Sequence, residues 1–143
     1  MRENFQSPRV WQPRGRGFSM GVVQPHGHVI HLTGQVAWDA GERLVGAGDV
    51  AAQSRQCIEN IRLLLAEVGG TLRDVVSLTT YFVDLDDLPK IQAVREEAFA
   101  GRWAPASTSV RVAGLGHPDF LVELTPVAVI PEPRFRGGLP PDP

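Results

Sequence analysis

Residues 104–130 read Ala-Pro-Ala-Ser-Thr-Ser-Val-Arg-Val-Ala-Gly-Leu-Gly-His-Pro-Asp-Phe-Leu-Val-Glu-Leu-Thr-Pro-Val-Ala-Val-Ile. Two runs that alternate apolar and polar residues flank a Gly/His/Pro loop at 114–119, a pattern that predicts two β-strands. In the second run Glu123 falls between Val122 and Leu124, so alternation puts it on the face opposite theirs. A carboxylate there is either half of a structural ion pair with an arginine or part of a cleft. In the first run Ser107, Ser109 and Arg111 share a face, with about 13 Å between the first and the last at about 3.3 Å per residue. Arg111 is then an exposed strand arginine, or a cation serving a ligand held further along.

Upstream, residues 18–23 and 28–33 read as a hairpin broken at 24–27 (Gln-Pro-His-Gly). Asp49 is a good helix N-cap. From it Ser54, Cys57, Ile58, Ile61, Leu64, Leu65 and Val68 form one apolar helical stripe that ends at Gly69-Gly70. Residues 75–83 form a strand with Val76, Leu78, Thr80 and Phe82 on one face and Ser77, Thr79 and Tyr81 on the other. Asp86 or Asp87 caps a second helix bearing Leu88, Ile91, Val94 and Ala98, with Pro89 in its first turn. The order is ββαβαββ, an α+β two-layer domain with both helices on one face of a mixed sheet. The other face keeps apolar side chains, and oligomerisation is the natural cover for it.

Three segments follow: an arm at 1–17, read as loose, a body at 18–130, and a tail at 131–143 holding five prolines. Within the body, eight Lys and Arg stand against thirteen Asp and Glu, a balance of −5, and the remaining arginines lie in the arm and tail. Nonspecific nucleic-acid affinity rests on phosphate neutralisation, so an acidic body argues against an RNA-binding surface. No apolar run approaches the roughly 20 residues that span a bilayer. The N-terminus lacks a signal-like apolar core, and the single cysteine excludes an intrachain disulfide; a cytoplasmic location is expected. There is no phosphate-binding glycine loop and no Gly-x-Ser-x-Gly elbow.

Thr33-Gly34-Gln35, the Ala-Gln-Ser-Arg-Gln start of the first helix, the Thr79-Thr80-Tyr81-Phe82-Val83 strand and the Glu123 strand occur in an order and spacing that resemble the RidA/YjgF family. The resemblance covers residues 18–130. It implies a chorismate-mutase-like fold, a homotrimer with clefts between subunits, and a small-molecule ligand. In the family's deaminating members an aromatic, a hydroxyl–glycine pair, an arginine and a glutamate surround an enamine or imine, and the arginine holds its carboxylate. By this resemblance Phe18 takes the aromatic place, Thr33 and Gly34 the pair, and Glu123 the glutamate that positions water. Ser107 replaces the arginine, and Ser109 stands where many relatives have cysteine. Serine has one hydroxyl and no charge in place of a fixed fork of donors.

His31 shares a face with Thr33 and is either an acid or base at the cleft or a hydrogen-bonded interface residue. His26 and His28 flank a turn and are expected in solvent; His117 precedes Pro118 and helps roof the cleft. No Asp/Glu/Cys spacing completes a metal site with them, and neither metal nor cofactor is expected. Cys57 belongs to the core; Trp38 and Trp103 either pack or wall a pocket. Two functions stand: a deaminase-like hydrolase acting on a C=N or related electrophile other than the usual 2-aminoacrylate type, and a noncatalytic metabolite-binding trimer. A third, a ribonuclease or translation inhibitor, is disfavoured by the charge.

Overall fold

The computed structural model describes residues 2–100 and 103–137. Helix α1 (Val50–Glu67) starts where Asp49 accepts a hydrogen bond from the Ala52 amide. It stops at Gly69, whose φ of +83° favours glycine. Its buried face carries Cys57, Ile58, Ile61 and Leu65, whereas Leu64 is exposed. Each such aliphatic side chain contributes about 1.5–3 kcal/mol on burial. Helix α2 (Leu88–Ala98) follows a 3-10 turn at Leu85–Asp87. Asp87 is its N-cap residue, as expected, but without a side-chain hydrogen bond; the side-chain cap falls on the preceding turn, where Asp84 accepts from the Asp86 amide.

Both helices cover one face of a four-stranded mixed sheet in the order β3 (His28–His31), β6 (Val122–Ile130), β4 (Val75–Phe82), β5 (Ala106–Arg111). The pairs β3–β6 and β6–β4 are antiparallel and β4–β5 is parallel. Val122 and Leu124 are fully buried on the helix side with Leu78 and Phe82. This is the expected α+β two-layer, chorismate-mutase-like architecture.

Two expectations fail at the N-terminus. The arm is not loose throughout: β1 (Glu3–Phe5) forms a two-stranded sheet with β2 (Gly21–Val23). In consequence β2 is paired with β1, and β3 with β6, in place of a β2–β3 hairpin. The reason is local hydrogen bonding. Asn4 donates to Ser19 and to the Ala104 carbonyl, Arg2 reaches the Trp103 and Ala104 carbonyls, and Ser19 bridges to Ala106. These bonds draw the segment around Ser19 to the β5 side of the sheet.

The described tail residues lie against the body. Arg134 forms a bidentate pair with the buried Asp74 at 2.6 and 2.9 Å. His28, expected in solvent, stacks on Phe135 at 3.8 Å between ring centres and pairs with Glu132. Residues 138–143 lie outside those described. No helix among the described residues is long and apolar enough to cross a membrane.

Candidate functional site

Strand alternation divides the expected site residues between two faces. The registers Tyr81–Glu123 and Thr79–Thr125 put the Glu123 carboxyl on the face that the helices leave bare. His31 lies opposite Val127 and shares this face, and Val29 and Val110 contribute exposed apolar surface to it. After β3 the chain rejoins β6 through reciprocal bonds between Gln35 and Leu124, at 2.8 and 3.0 Å. That bridge holds Thr33 and Gly34 beside Glu123.

The approach of Glu123 to Gly34 is close. A Cβ built at position 34 would lie 2.5 Å from Glu123 Oε2 and 3.0 Å from Thr125 Oγ1. Glycine here leaves the carboxylate room against the backbone. Among the described residues the Glu123 carboxylate makes no ion pair or hydrogen bond, so the arginine partner of the structural alternative is not found there. Gly34→Ala should push the carboxylate aside while sparing the fold, because the clash is with the end of a flexible side chain. We expect a loss of turnover of about 10²-fold, as misplacement by an ångström can cost, with an unchanged circular dichroism spectrum.

Ser107 and Ser109 lie on the opposite face. Their register with Leu78 and Thr80 turns them toward α2, where the Arg95 guanidinium meets them. Arg95 Nη1 donates to Thr80 Oγ1 at 3.0 Å, Ser109 Oγ at 3.0 Å and Ser107 Oγ at 3.3 Å. Within one chain, then, the two serines and Glu123 lie on opposite faces of the sheet. The parallel β4–β5 register imposes this separation. Arg111 has the same facing as the serines, is exposed, and donates to the Val83 carbonyl at 3.1 Å.

Phe18 stands apart again. It packs edge-on to Trp11 at 5.6 Å and lines a cavity of about 730 Å³ with Met20, Glu96, Ala104 and arm residues. At the loop end of the sheet Trp38, His117 and Phe120 form an aromatic cluster, with centres 5.1–6.4 Å apart. Burial, with the charge of Glu123 second, pushes the Cys57 thiol up to about 12, so it is no nucleophile near neutral pH. No group of three or more His, Cys, Asp and Glu that could hold a metal occurs among the described residues.

Sequence reading missed Arg95. A signal was present: positions 88, 91, 95 and 98 form one i, i+3, i+7 stripe, so a charge at 95 falls on the buried face of α2. Burial lowers its pKa to about 10, which leaves it charged at neutral pH.

The comparisons agree with this architecture. A RutC family protein of Pyrococcus abyssi is 37% identical over 102 residues, 71% of this chain and 79% of that protein. The 3-aminoacrylate deaminase RutC of Acinetobacter baylyi is 36% identical over 101 residues, again 71% and 79%. Among solved structures, the conserved Rid family protein YyfB of Yersinia pestis superposes with a TM-score of 0.84 at 33% identity, covering 90% of this chain and 98% of that one. The family model described as Endoribonuclease L-PSP matches residues 13–130, and with these relatives it shows that the chain belongs to the RidA/YjgF family.

Proposed function

We propose that the protein hydrolyses the C=N bond of a small imine, or of the imine tautomer of an enamine, in clefts between the subunits of a homotrimer. The observation that carries this reading is the Glu123 carboxylate lodged against Gly34 on the uncovered sheet face. There it takes a proton from water as the oxygen attacks the imine carbon and hands it to the nitrogen; the resulting carbinolamine passes its hydroxyl proton to the amine and collapses to the carbonyl compound and ammonia. Thr33 and Gly34 frame the reacting end. The serines reach this chemistry from the edge strand β5 of a neighbouring protomer, with Phe18 and His31 at the rim and Arg111 further out.

The substrate is not of the 2-aminoacrylate type, because a carboxylate held on the short Ser107 side chain draws the adjoining carbon away from Glu123. In 3-aminoacrylate, named for the Acinetobacter relative, the carboxylate is one carbon removed from the carbon bearing nitrogen. A receptor set further back by the shorter serine side chain suits that class. Ammonia release from enamines of both classes, generated in solution and followed by a coupled assay, tests the reading.

The exposed Val29 and Val110 on the bare face supply the motive for assembly. Light scattering should give three times the chain mass at micromolar concentration; a monomer would remove the intersubunit cleft. A serine at position 107, with no charge of its own, favours the second reading, a noncatalytic metabolite-binding trimer, which binds without releasing ammonia. The acidic body continues to disfavour a ribonuclease.

A further inference from the structure

Arg95 is 1% exposed, yet its guanidinium meets only neutral oxygens among the described residues. Its Nε has no hydrogen-bond partner among the described residues. Buried charges are ordinarily paired with an opposite charge, because desolvation is otherwise uncompensated. The neighbouring Glu96 does not pair with it; that carboxylate accepts from the Gly17 amide at 2.9 Å. Behind the guanidinium the arm closes the space. Arg95 Nη2 donates to the Arg16 carbonyl at 3.2 Å, and a Cβ at Gly17 would lie 2.6 Å from Arg95 Cβ.

In front stand two hydroxyls. A serine oxygen has two lone pairs and one hydrogen. Ser107 and Ser109 each accept from Arg95, and neither donates to any described residue. Their hydrogens are thus available to an acceptor, polarised by the cation behind them. Ser107 is half-buried, Ser109 is exposed, and both lie on the edge strand β5. The positive charge that the strand lacks at position 107 is present one layer deeper, on α2.

We propose that Ser107 and Ser109, backed by Arg95, form an anion-recognition site that takes the carboxylate of a small organic ligand. The carboxylate accepts from both hydroxyls, and the guanidinium supplies the compensating charge without touching it. Arg95 is therefore a specificity-determining residue that acts through the serines. The inference rests on the proposed cleft only in taking this carboxylate to be that of the substrate; anion binding itself does not require turnover.

Titration of the full chain with propionate and with its uncharged analogue propionamide, by calorimetry in phosphate-free, low-chloride buffer, tests it. The wild type should bind propionate about 10- to 100-fold more tightly than the amide, as expected for hydrogen bonds to a charged group. Arg95→Met and the double variant Ser107→Ala/Ser109→Ala should each abolish that preference, and Arg95→Lys should restore part of it. Arg95→Met should not lower the melting temperature, since it removes a buried charge with no counter-ion. Equal or absent binding of the two probes by the wild type overturns the proposal, as does an unchanged preference in Arg95→Met. Should Arg95→Met fail to fold, the serine double variant decides by the same readout. Glu123→Gln should retain the preference, so a failure of hydrolysis and a failure of anion recognition give different results.

Discussion

Glu123→Gln should lower turnover by about 10²–10⁴-fold, the usual contribution of a positioned general base, while ligand affinity changes little. Glutamine keeps the shape that fits against Gly34 but cannot take a proton from water. The carboxylate sits on the bare sheet face, outside the apolar layer that holds the fold together, so stability should hardly move. A fall in kcat with KM retained marks an interaction made in the transition state. Unchanged kcat would leave Glu123 a structural role and move the assignment to the noncatalytic binding trimer. Gly34→Ala and Glu123→Gln act on one contact; their effects should be far from additive, as for groups that work as a unit.

The body of the fold was legible because its signals are local and repeated. Asp49 caps α1, the stripe of Cys57, Ile58, Ile61 and Leu65 faces the sheet, and the alternation of β4 divides Leu78 and Phe82 from Ser77 and Thr79. Alternation likewise assigned Glu123 to the face opposite Val122 and Leu124. What alternation within one strand cannot supply is the register against its neighbour. Ser107 and Ser109 were therefore grouped with Glu123, while the parallel pairing Leu78–Ser107 and Thr80–Ser109 turns them to the helix side. The strand Glu3–Phe5 was missed for a related reason. Three residues are too few to show a period, and the bonds from Asn4 to Ser19 and Ala104 join positions 15 and 100 residues apart. The i, i+3, i+7 spacing places Arg95 on the buried face of α2, but its meaning depends on the serines that α2 meets across the layer.

Those serines also determine the second large effect. Imines of the 2-aminoacrylate type, in which the carboxylate adjoins the reacting carbon, should be deaminated far more slowly than by a relative with arginine at the position of Ser107. Removing one partner of a desolvated charge pair costs about 2–5 kcal/mol, or about 30- to 5,000-fold at 1.36 kcal/mol per tenfold. Arg95 returns part of this, because it places a cation behind Ser107 and Ser109. The return is incomplete: a hydroxyl donor is weaker than a charged fork, and the guanidinium is a layer further from the ligand. Position matters as well as charge. A carboxylate seated on short serine side chains lies closer to the strand than one held by arginine, which draws the adjoining imine carbon away from Glu123. A substrate with an extra carbon between carboxylate and electrophile restores that reach. Side-by-side rates on the two enamine classes should therefore favour the longer one here and the shorter one in the arginine-bearing relative. Equal rates for both proteins on the 2-aminoacrylate type would show that Arg95 and its serines replace the strand arginine in full.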